Sequence, residues 1–262
     1  AIAGFCLASK GTIHFGLFFA TLIGLSLVIA SACVWNNYMD RAMDEKMART
    51  RNRALVQGLI PLQNALWFGL AVGFLGIGML VFFTNLLTVV IAACGFFTYV
   101  VLYGITKYTT SLGTIIGSVS GAIPPVVGYT AVTNTLDLAA FLLFFLVVFW
   151  QMPHFYAIAM YRIEDYTAAG IPVLPVSKGN YIAKVHTLVY VIAFAITSFL
   201  LTFCGYTGYS YLAVSTLMSA SWLWLSIKGF SCDNDRVWAR KMFLLSLFII
   251  MVLAVMISVD CH

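Results

Sequence analysis

Long apolar blocks alternate with short polar segments along this chain. Each block holds about 20 residues, the length at which an α-helix rising about 1.5 Å per residue crosses a hydrocarbon core roughly 30 Å thick. The pattern therefore predicts eight membrane-spanning helices. They cover residues 13–36, 61–82, 86–105, 112–131, 137–158, 182–203, 209–228 and 240–259. The apolar residues 1–8 are too short to span, and we interpret them as the end of a ninth helix within which the sequence starts.

Composition favours a membrane protein over a soluble one. Of the 262 residues, 62% are hydrophobic and 9% are charged, whereas an ordinary soluble domain has about 25% charged residues. We therefore expect a single all-α, polytopic transmembrane domain over residues 1–262. The six cysteines show no C-x-x-C pair, so we expect no disulfide and no thiolate metal site, although Cys261 and His262 could bind a metal adventitiously.

The basic residues predict the orientation of the helices. If the spans alternate in direction, 13 of the 14 Lys and Arg residues fall on one side, and Lys10 falls on the other. Because basic residues collect in short cytoplasmic loops, that side is expected to face the cytoplasm of a bacterial cell, with the spans in the inner membrane. This topology and anionic lipid headgroups account for the net charge of +5, and nothing in it points to nucleic acid.

The first polar segment, residues 36–53, begins where a spanning helix ends. Asn36, Asp40 and Asp44 follow one another at a spacing of four, so on a continuing helix they share one face. Two carboxylates and an amide oxygen suit Mg²⁺, which takes hard oxygen ligands and is commonly completed by substrate phosphates. Arg49 and Arg53, again four apart, could bind the remaining oxygens of a diphosphate. The alternative is an ordinary solvated helix end whose acids and bases pair with one another.

The second polar segment, residues 151–180, places His154 directly after Pro153, near the end of another span. A proline there kinks the helix or frees a carbonyl. His154 is interpreted either as a hydrogen-bonded structural residue or as a functional one, with heme-iron ligation, proton transfer or diphosphate binding as its possible roles. Lys107, Arg162 and Asp165, all at the same predicted membrane face, are further candidates for substrate binding.

Three features near these segments are less specific. The residues Gly170, Pro172 and Pro175 predict a non-helical loop. Small residues at GxxxGxxxG spacing, Gly113, Gly117 and Gly121, favour close helix packing, with cavity shaping as the alternative. His186 is a weaker candidate for a second heme ligand, and the segment DNDRVWARK is interpreted as a topology anchor.

These motifs together resemble a known group of enzymes. The pattern N-x-x-x-D-x-x-x-D, matched by Asn36, Asp40 and Asp44, resembles the first signature of the UbiA superfamily of intramembrane prenyltransferases. Within it, the chain resembles the protoheme IX farnesyltransferases over nearly its whole length. The matching stretches are CVWNNYMDRAMDEKMARTRNRAL, GTIIGSVSGAIPPVVGY, WQMPHFYAIAMYRIEDYTAAGIPVLPV and DRVWARKMF.

The resemblance implies a fold, a reaction and partners. The fold is a bundle of nine transmembrane helices around a central cavity, and the reaction is Mg²⁺-dependent transfer of farnesyl from farnesyl diphosphate to a vinyl group of heme B, which gives heme O. Asn36, Asp40 and Asp44 would hold Mg²⁺ and diphosphate, Arg49 and Arg53 would bind diphosphate, and His154 would serve heme. A heme A synthase or a terminal oxidase would receive the product.

The chain departs from the superfamily pattern at its second motif. Members that prenylate aromatic acids or quinone precursors resemble one another in a second D-x-x-x-D motif, where this chain has only Glu164 and Asp165 after His154. A second Mg²⁺ site is therefore not predicted. Two other functions stay open from the sequence: a polyprenyltransferase acting on a quinone precursor, and a heme-handling protein or transporter without catalysis.

Overall fold

The computed structural model describes residues 1–261, which fold into helices without any β-sheet, and His262 lies outside the described part. The helices are α1 (Ile2–Ser9), α2 (Phe15–Asp44), α3 (Leu62–Phe83), α4 (Leu86–Phe97), α5 (Gly104–Thr109), α6 (Gly113–Gly121), α7 (Ile123–Thr133), α8 (Leu138–Tyr161), α9 (Ile163–Ala168), α10 (Leu174–Phe203), α11 (Tyr209–Lys228) and α12 (Asp235–Val259). A π-helical segment, Thr98–Tyr103, joins α4 to α5. A 3-10 turn, Gly229–Ser231, follows α11.

Within residues 1–261, eight helical stretches are long and apolar enough to cross a membrane, which confirms the predicted spans. Three of them are composite: α4 continues through the π segment into α5, α6 continues into α7, and α11 continues into the 3-10 turn. The short helix α1 occupies the apolar segment at residues 1–8. Several helices run further than hydropathy predicts at the polar end of the bundle, and α2 continues to Asp44.

The prolines of the second polar segment behave differently from one another. Helix α8 continues through Pro153 to Tyr161, and since proline has no N–H, the carbonyl of Phe149 lacks its usual donor. The predicted non-helical loop is wrong at Pro175, because α10 already begins at Leu174. Proline suits the first turn of a helix, where the N–H has no partner within the helix. The interruption comes instead at Gly179, whose φ of +83° lies in the left-handed region.

The helices enclose a central space. Helix α2 packs along α3, while α8 is flanked by α10, α12 and α6, and α1 lies between α7 and α12. The span formed by α6 and α7 breaks at Ala122, just before Pro124 and Pro125, because two consecutive prolines cannot continue the hydrogen bonding of α6. Apolar side chains cover the outer surface of the bundle, as expected of a protein whose surroundings are lipid.

Candidate functional site

A polar cavity of about 290 Å³ opens at the end of the bundle where α2, α5 and α8 finish. Six of the nine candidate site residues line it: Asn36, Asp40, Asp44, Arg49, Arg53 and Lys107. The other lining residues used below are four tyrosines, two glycines and a phenylalanine: Tyr99, Tyr103, Tyr108, Tyr166, Gly113, Gly117 and Phe155. Residues far apart in the sequence therefore form one polar chamber.

The oxygen-bearing stripe on α2 faces this polar cavity. Because α2 stays helical to its end, Asn36, Asp40 and Asp44 lie on one face, as their spacing predicts. The Asn36 amide nitrogen donates to Oδ2 of Asp40 at 2.8 Å. Asn36 and Asp44 are buried, with 9% and 5% of their surface exposed. Buried carboxylates at this depth need partners, because an unpaired charge there is costly.

Cations from two other parts of the chain supply that compensation. Lys107 forms an ion pair with Asp40, and its Nζ donates to Oδ1 of Asn36 at 2.7 Å. Arg53 donates to Oδ2 of Asp44 at 2.6 Å and to Oδ1 of Asn37 at 3.0 Å. Arg49 lines the same cavity and is exposed to solvent. The cavity therefore gathers the acids of α2 and three basic side chains into one place.

Sequence reasoning missed the tyrosines of this cavity. Tyr108 donates its hydroxyl to Oδ1 of Asp40. Tyr99 and Tyr103 stack on each other with ring centroids 5.6 Å apart. The Nζ of Lys107 lies 5.1 Å from the ring centre of Tyr103. A signal was available, because Tyr99, Tyr103 and Lys107 recur every four residues, as do the three ligand candidates on α2.

Tyr166 lines the polar cavity from α9, the short helix between α8 and α10. Burial raises the pKa of its phenol above the ordinary value, Arg49 opposes that rise, and Asp165 adds to it. The hydroxyl therefore stays protonated at neutral pH. It can donate a hydrogen bond to an anion in the cavity.

His154 does not line the polar cavity. It is 8% exposed and stacks on Trp150, with ring centroids 4.8 Å apart. Its Nδ1 lies 2.7 Å from Oγ of Ser246, which is itself 2.6 Å from the carbonyl oxygen of Phe243. Since a serine has one proton to donate and gives it to that carbonyl, His154 donates through Nδ1–H. Nε2 then carries the free lone pair.

The remaining candidates also lie outside the polar cavity. The guanidinium of Arg162 stacks over the ring of Tyr161, 4.9 Å from its centre. Asp165 is half-buried next to Tyr166 but does not line the cavity, and Glu164 is exposed with its carboxylate 3.4 Å from Arg236. His186 is exposed beside the ring of Tyr156. The structure therefore does not bring the second polar segment's acids to the α2 stripe.

The donor set on α2 fits Mg²⁺. Within residues 1–261 there is no cluster of three or more His, Cys, Asp or Glu side chains suited to a metal ion. Two carboxylates and one amide oxygen nevertheless match the incomplete, all-oxygen protein shell that Mg²⁺ accepts when waters and phosphates complete it. Asn36, Asp40 and Asp44 would hold the ion.

A second, apolar cavity of about 270 Å³ continues from the polar one. Both are lined by Tyr99, Gly117 and Phe155, so they meet at these residues. The remaining walls of the apolar cavity come mostly from aliphatic residues of α2, from α4 and from the break between α6 and α7: Leu25, Val28, Ile29, Ala32, Ala92, Gly95, Phe96, Ile123 and Pro124.

The glycines of the GxxxGxxxG stretch have both predicted roles. A Cβ on Gly113 would lie 2.7 Å from Cα of Lys107, and one on Gly117 would lie 3.0 Å from the ring of Tyr103. These contacts confirm close packing. Gly117 and Gly121 also line the apolar cavity, so their small size shapes it as well.

Comparison with known proteins agrees with this architecture. The model of the UbiA prenyltransferase family matches residues 1–248. A protoheme IX farnesyltransferase from Protochlamydia amoebophila (strain UWE25) is 52% identical over 259 residues, which cover 99% of this chain and 92% of that protein.

Two solved structures share the fold at low sequence identity. A chain described as digeranylgeranylglyceryl phosphate synthase superposes with a TM-score of 0.83 at 18% identity, covering 99% of this chain and 90% of the other. A UbiA homolog from Archaeoglobus fulgidus, bound to DMAPP and Mg²⁺, superposes with a TM-score of 0.69 at 16% identity, covering 98% and 93%. With its family model matched over most of its length and a close full-length relative, the chain belongs to the UbiA prenyltransferase family.

Proposed function

We propose that this protein transfers the farnesyl group of farnesyl diphosphate to a vinyl group of heme B, with addition of water, to give heme O. The observation that carries the proposal is the junction of two cavities, one lined by paired acids and bases and the other apolar. A diphosphate suits the first cavity and an isoprenoid chain suits the second. The relative that is 52% identical is named for farnesyl transfer to protoheme IX, which supports heme as the acceptor.

The diphosphate end of the substrate would lie in the polar cavity. Asn36, Asp40 and Asp44 would hold Mg²⁺ there, as their oxygens and shared face allow. When bound, Mg²⁺ supplies positive charge against the oxygens of the leaving diphosphate. Arg49 and Arg53 would bind further diphosphate oxygens, and their guanidinium groups suit that geometry.

Lys107 and Tyr166 would complete the charge balance. Lys107 already compensates Asp40 and lies beside Asn36, so its ammonium group is held where negative charge develops as the allylic C–O bond breaks. The protonated hydroxyl of Tyr166 can donate to the same leaving group. The site would thereby stabilise the departing diphosphate more than the intact substrate, which lowers the barrier.

The isoprenoid end would extend through Gly117 into the apolar cavity. Breaking the C–O bond leaves the electron pair on diphosphate and an allylic cation on farnesyl. The vinyl π electrons of heme then form the new C–C bond. The resulting cation is stabilised by the pyrrole ring until water adds and leaves a hydroxyl group.

The proposal also covers the residue that would contact heme, the membrane that would hold the protein and the protein that would receive its product. His154 would serve heme through its free Nε2, a role supported by its Nδ1–H donation to Ser246. Arg162, which follows α8, and Asp165 on α9 lie outside the polar cavity, so any contact that they make with substrate would be at its outer side. The protein would lie in the bacterial inner membrane with its polar cavity toward the cytoplasm, and a heme A synthase or a terminal oxidase would receive the product.

The test is product formation by purified protein with farnesyl diphosphate, Mg²⁺ and either heme or 4-hydroxybenzoate. Mass spectrometry should find a hydroxyethylfarnesyl heme from the first mixture. Prenylation of 4-hydroxybenzoate alone would reassign the acceptor to a quinone precursor. Recovery of unchanged heme and unchanged benzoate would instead favour a heme-handling protein without catalysis.

Two substitutions test the metal assignment. Asp40→Ala and Asp44→Ala should each lower turnover by about 100-fold or more. Each removes a carboxylate ligand of Mg²⁺, and the metal stabilises the negative charge on the leaving diphosphate. Heme binding, followed by its absorption spectrum, should persist. Glu45→Gln is the matched control, since Glu45 is exposed next to Asp44 and does not line the cavity. Full activity in both alanine variants would contradict the assignment.

A further inference from the structure

The apolar cavity contains a buried polar side chain that the steps above do not use. Gln151 lies on α8, lines this cavity and is only 5% exposed. Its Nε2 donates to the carbonyl oxygen of Ser118 at 3.0 Å and to that of Val147 at 3.3 Å. These two acceptors define which end of the amide is nitrogen, because an oxygen in that place would face two other oxygens.

The amide oxygen of Gln151 is left without a donor. Among residues 1–261, none donates a hydrogen bond to Oε1. Gly121 lies directly against this oxygen, since a Cβ on Gly121 would be 2.1 Å from it. A glycine at this position therefore makes room for the amide. An acceptor that faces an apolar cavity is costly unless a ligand or a water donates to it.

A backbone oxygen beside Gln151 also lacks its usual donor. In an α-helix, the carbonyl of Gly121 would accept from residue 125, but Pro125 has no N–H, whereas the carbonyl of Ser120 faces the N–H of Ala122. Ser120, Gly121 and Pro124 line the same cavity as Gln151. A buried water needs two or more polar partners, and freed carbonyls at membrane depth are commonly satisfied by water.

We propose that Oε1 of Gln151, together with the carbonyl oxygen of Gly121, holds the water molecule that adds to the farnesylated vinyl group of heme. This inference rests on the function proposed above. A water that donates both of its hydrogens to such oxygens keeps a lone pair free, and that lone pair is the nucleophile. Gln151 is thus a positioning residue, because an amide oxygen accepts a hydrogen bond but is not a base at neutral pH.

The step balances without any further reactant. The lone pair of water forms a C–O bond to the cationic carbon next to the pyrrole ring, and one proton leaves. The diphosphate released in the first step takes that proton. If no water is held, the same cation can lose a proton from the neighbouring CH₂ group instead. The product is then an alkene that is lighter than the hydroxylated product by one water.

The test is the ratio of hydroxylated to dehydrated farnesyl-heme, measured by mass spectrometry after incubation with farnesyl diphosphate, heme and Mg²⁺ in ¹⁸O-labelled water. Gln151→Met keeps the approximate side-chain volume and removes the amide. Gly121→Ala keeps Gln151 but displaces its oxygen. Both should lower the ratio by about fivefold or more, the effect of losing one buried hydrogen bond. The ratio counts only turned-over molecules, so it does not depend on how much protein folds.

Ser31→Ala is the matched control. It removes a buried hydrogen bond between helices, from Ser31 to the carbonyl of Gly69 at 2.7 Å, and it touches neither cavity. It should leave the ratio unchanged. A wild-type ratio in both test variants would overturn the role of Gln151 while leaving the proposed function intact. Loss of both products in equal proportion would also overturn it, since Gln151 would then serve packing. Absence of any farnesylated heme from the unmodified protein would instead overturn the proposed function.

Discussion

At the level of single side chains, the polar cavity joins opposite charges in pairs. Asp40 pairs with Lys107 and Asp44 pairs with Arg53. An unpaired carboxylate at this depth would be costly, so each acid has a cation nearby even without substrate. The same cations lie where a diphosphate would add negative charge. When a diphosphate binds with its Mg²⁺, the metal would therefore take the place of the cations beside the acids, and the cations would pair with diphosphate oxygens.

Arg53 makes the geometry of this pairing testable. One terminal nitrogen of its guanidinium donates to both Asp44 and Asn37, so the other terminal nitrogen is left to bind a diphosphate oxygen, and the single ammonium group of a lysine cannot offer two such nitrogens. Arg53→Lys should raise KM for farnesyl diphosphate by about tenfold, the loss of roughly one charge-assisted hydrogen bond. Steady-state kinetics at saturating heme measure it.

The neighbouring arginine supplies the comparison for that measurement. Arg51 is exposed and does not line the polar cavity, so Arg51→Lys should leave KM unchanged. Equal changes in KM for the two variants would mean that the general positive charge of this segment matters and the specific position of Arg53 does not.

At the level of helices, close packing of α5 against α6 positions Lys107. A Cβ on Gly113 would meet backbone atoms of Lys107, with the nearest, Cα, at 2.7 Å. Backbone cannot rotate away as a side chain can, so any larger residue at position 113 must move one helix. The ammonium group of Lys107 would move with it.

Gly113→Ala should therefore lower activity by more than its effect on stability suggests. We expect turnover to fall by about tenfold or more, because displacements near 1 Å at reacting groups can cost about 100-fold. Turnover per folded protein, with the thermal midpoint in detergent as a second measurement, checks this expectation.

Gly78→Ala on α3 is the counterpart for this substitution. A Cβ there meets nothing within 4 Å, and alanine is the better helix former by about 0.5–1 kcal/mol. It should leave activity unchanged and raise the thermal midpoint slightly. A Gly113→Ala protein with normal turnover would show that α5 and α6 adjust without moving Lys107.

For the whole molecule, the polar cavity lies at the end of the bundle where nearly all of the Lys and Arg residues are found. The loop after α2, the end of α5 and the segment between α8 and α10 all meet there. Lys10 lies in the loop between α1 and α2, at the other end. Combined with the distribution of basic residues, this arrangement predicts a cavity that opens to the cytoplasm.

Single-cysteine labelling tests that orientation. In a variant without the six native cysteines, Ser177→Cys lies at the cavity end and Thr135→Cys at the opposite end, both at exposed positions. A membrane-impermeant maleimide should label position 135 in spheroplasts and position 177 only after lysis. Labelling of position 177 in sealed spheroplasts, with position 135 protected, would reverse the proposed topology. Activity of both variants serves as the check that each is folded.

Local patterns were enough for the spans and for the ligand stripe. Apolar length depends on the thickness of the bilayer, and the face shared by Asn36, Asp40 and Asp44 depends on helical periodicity alone. The same periodicity in the third span indicates Tyr99 and Tyr103, which share a face with Lys107. These features follow from neighbours a few residues apart, so a sequence carries them directly.

Contacts between helices could not be predicted in this way. Lys107 meets Asn36 across 71 positions, and His154 turns toward Ser246 across 92, away from the polar cavity for which it was a candidate. The rotation of one helix against another depends on how the side chains of both helices fit together. Mean hydropathy over a span does not contain that information. The amide of Gln151 is the clearest case, because its free oxygen is defined by a carbonyl on α6 and by a glycine that leaves it room.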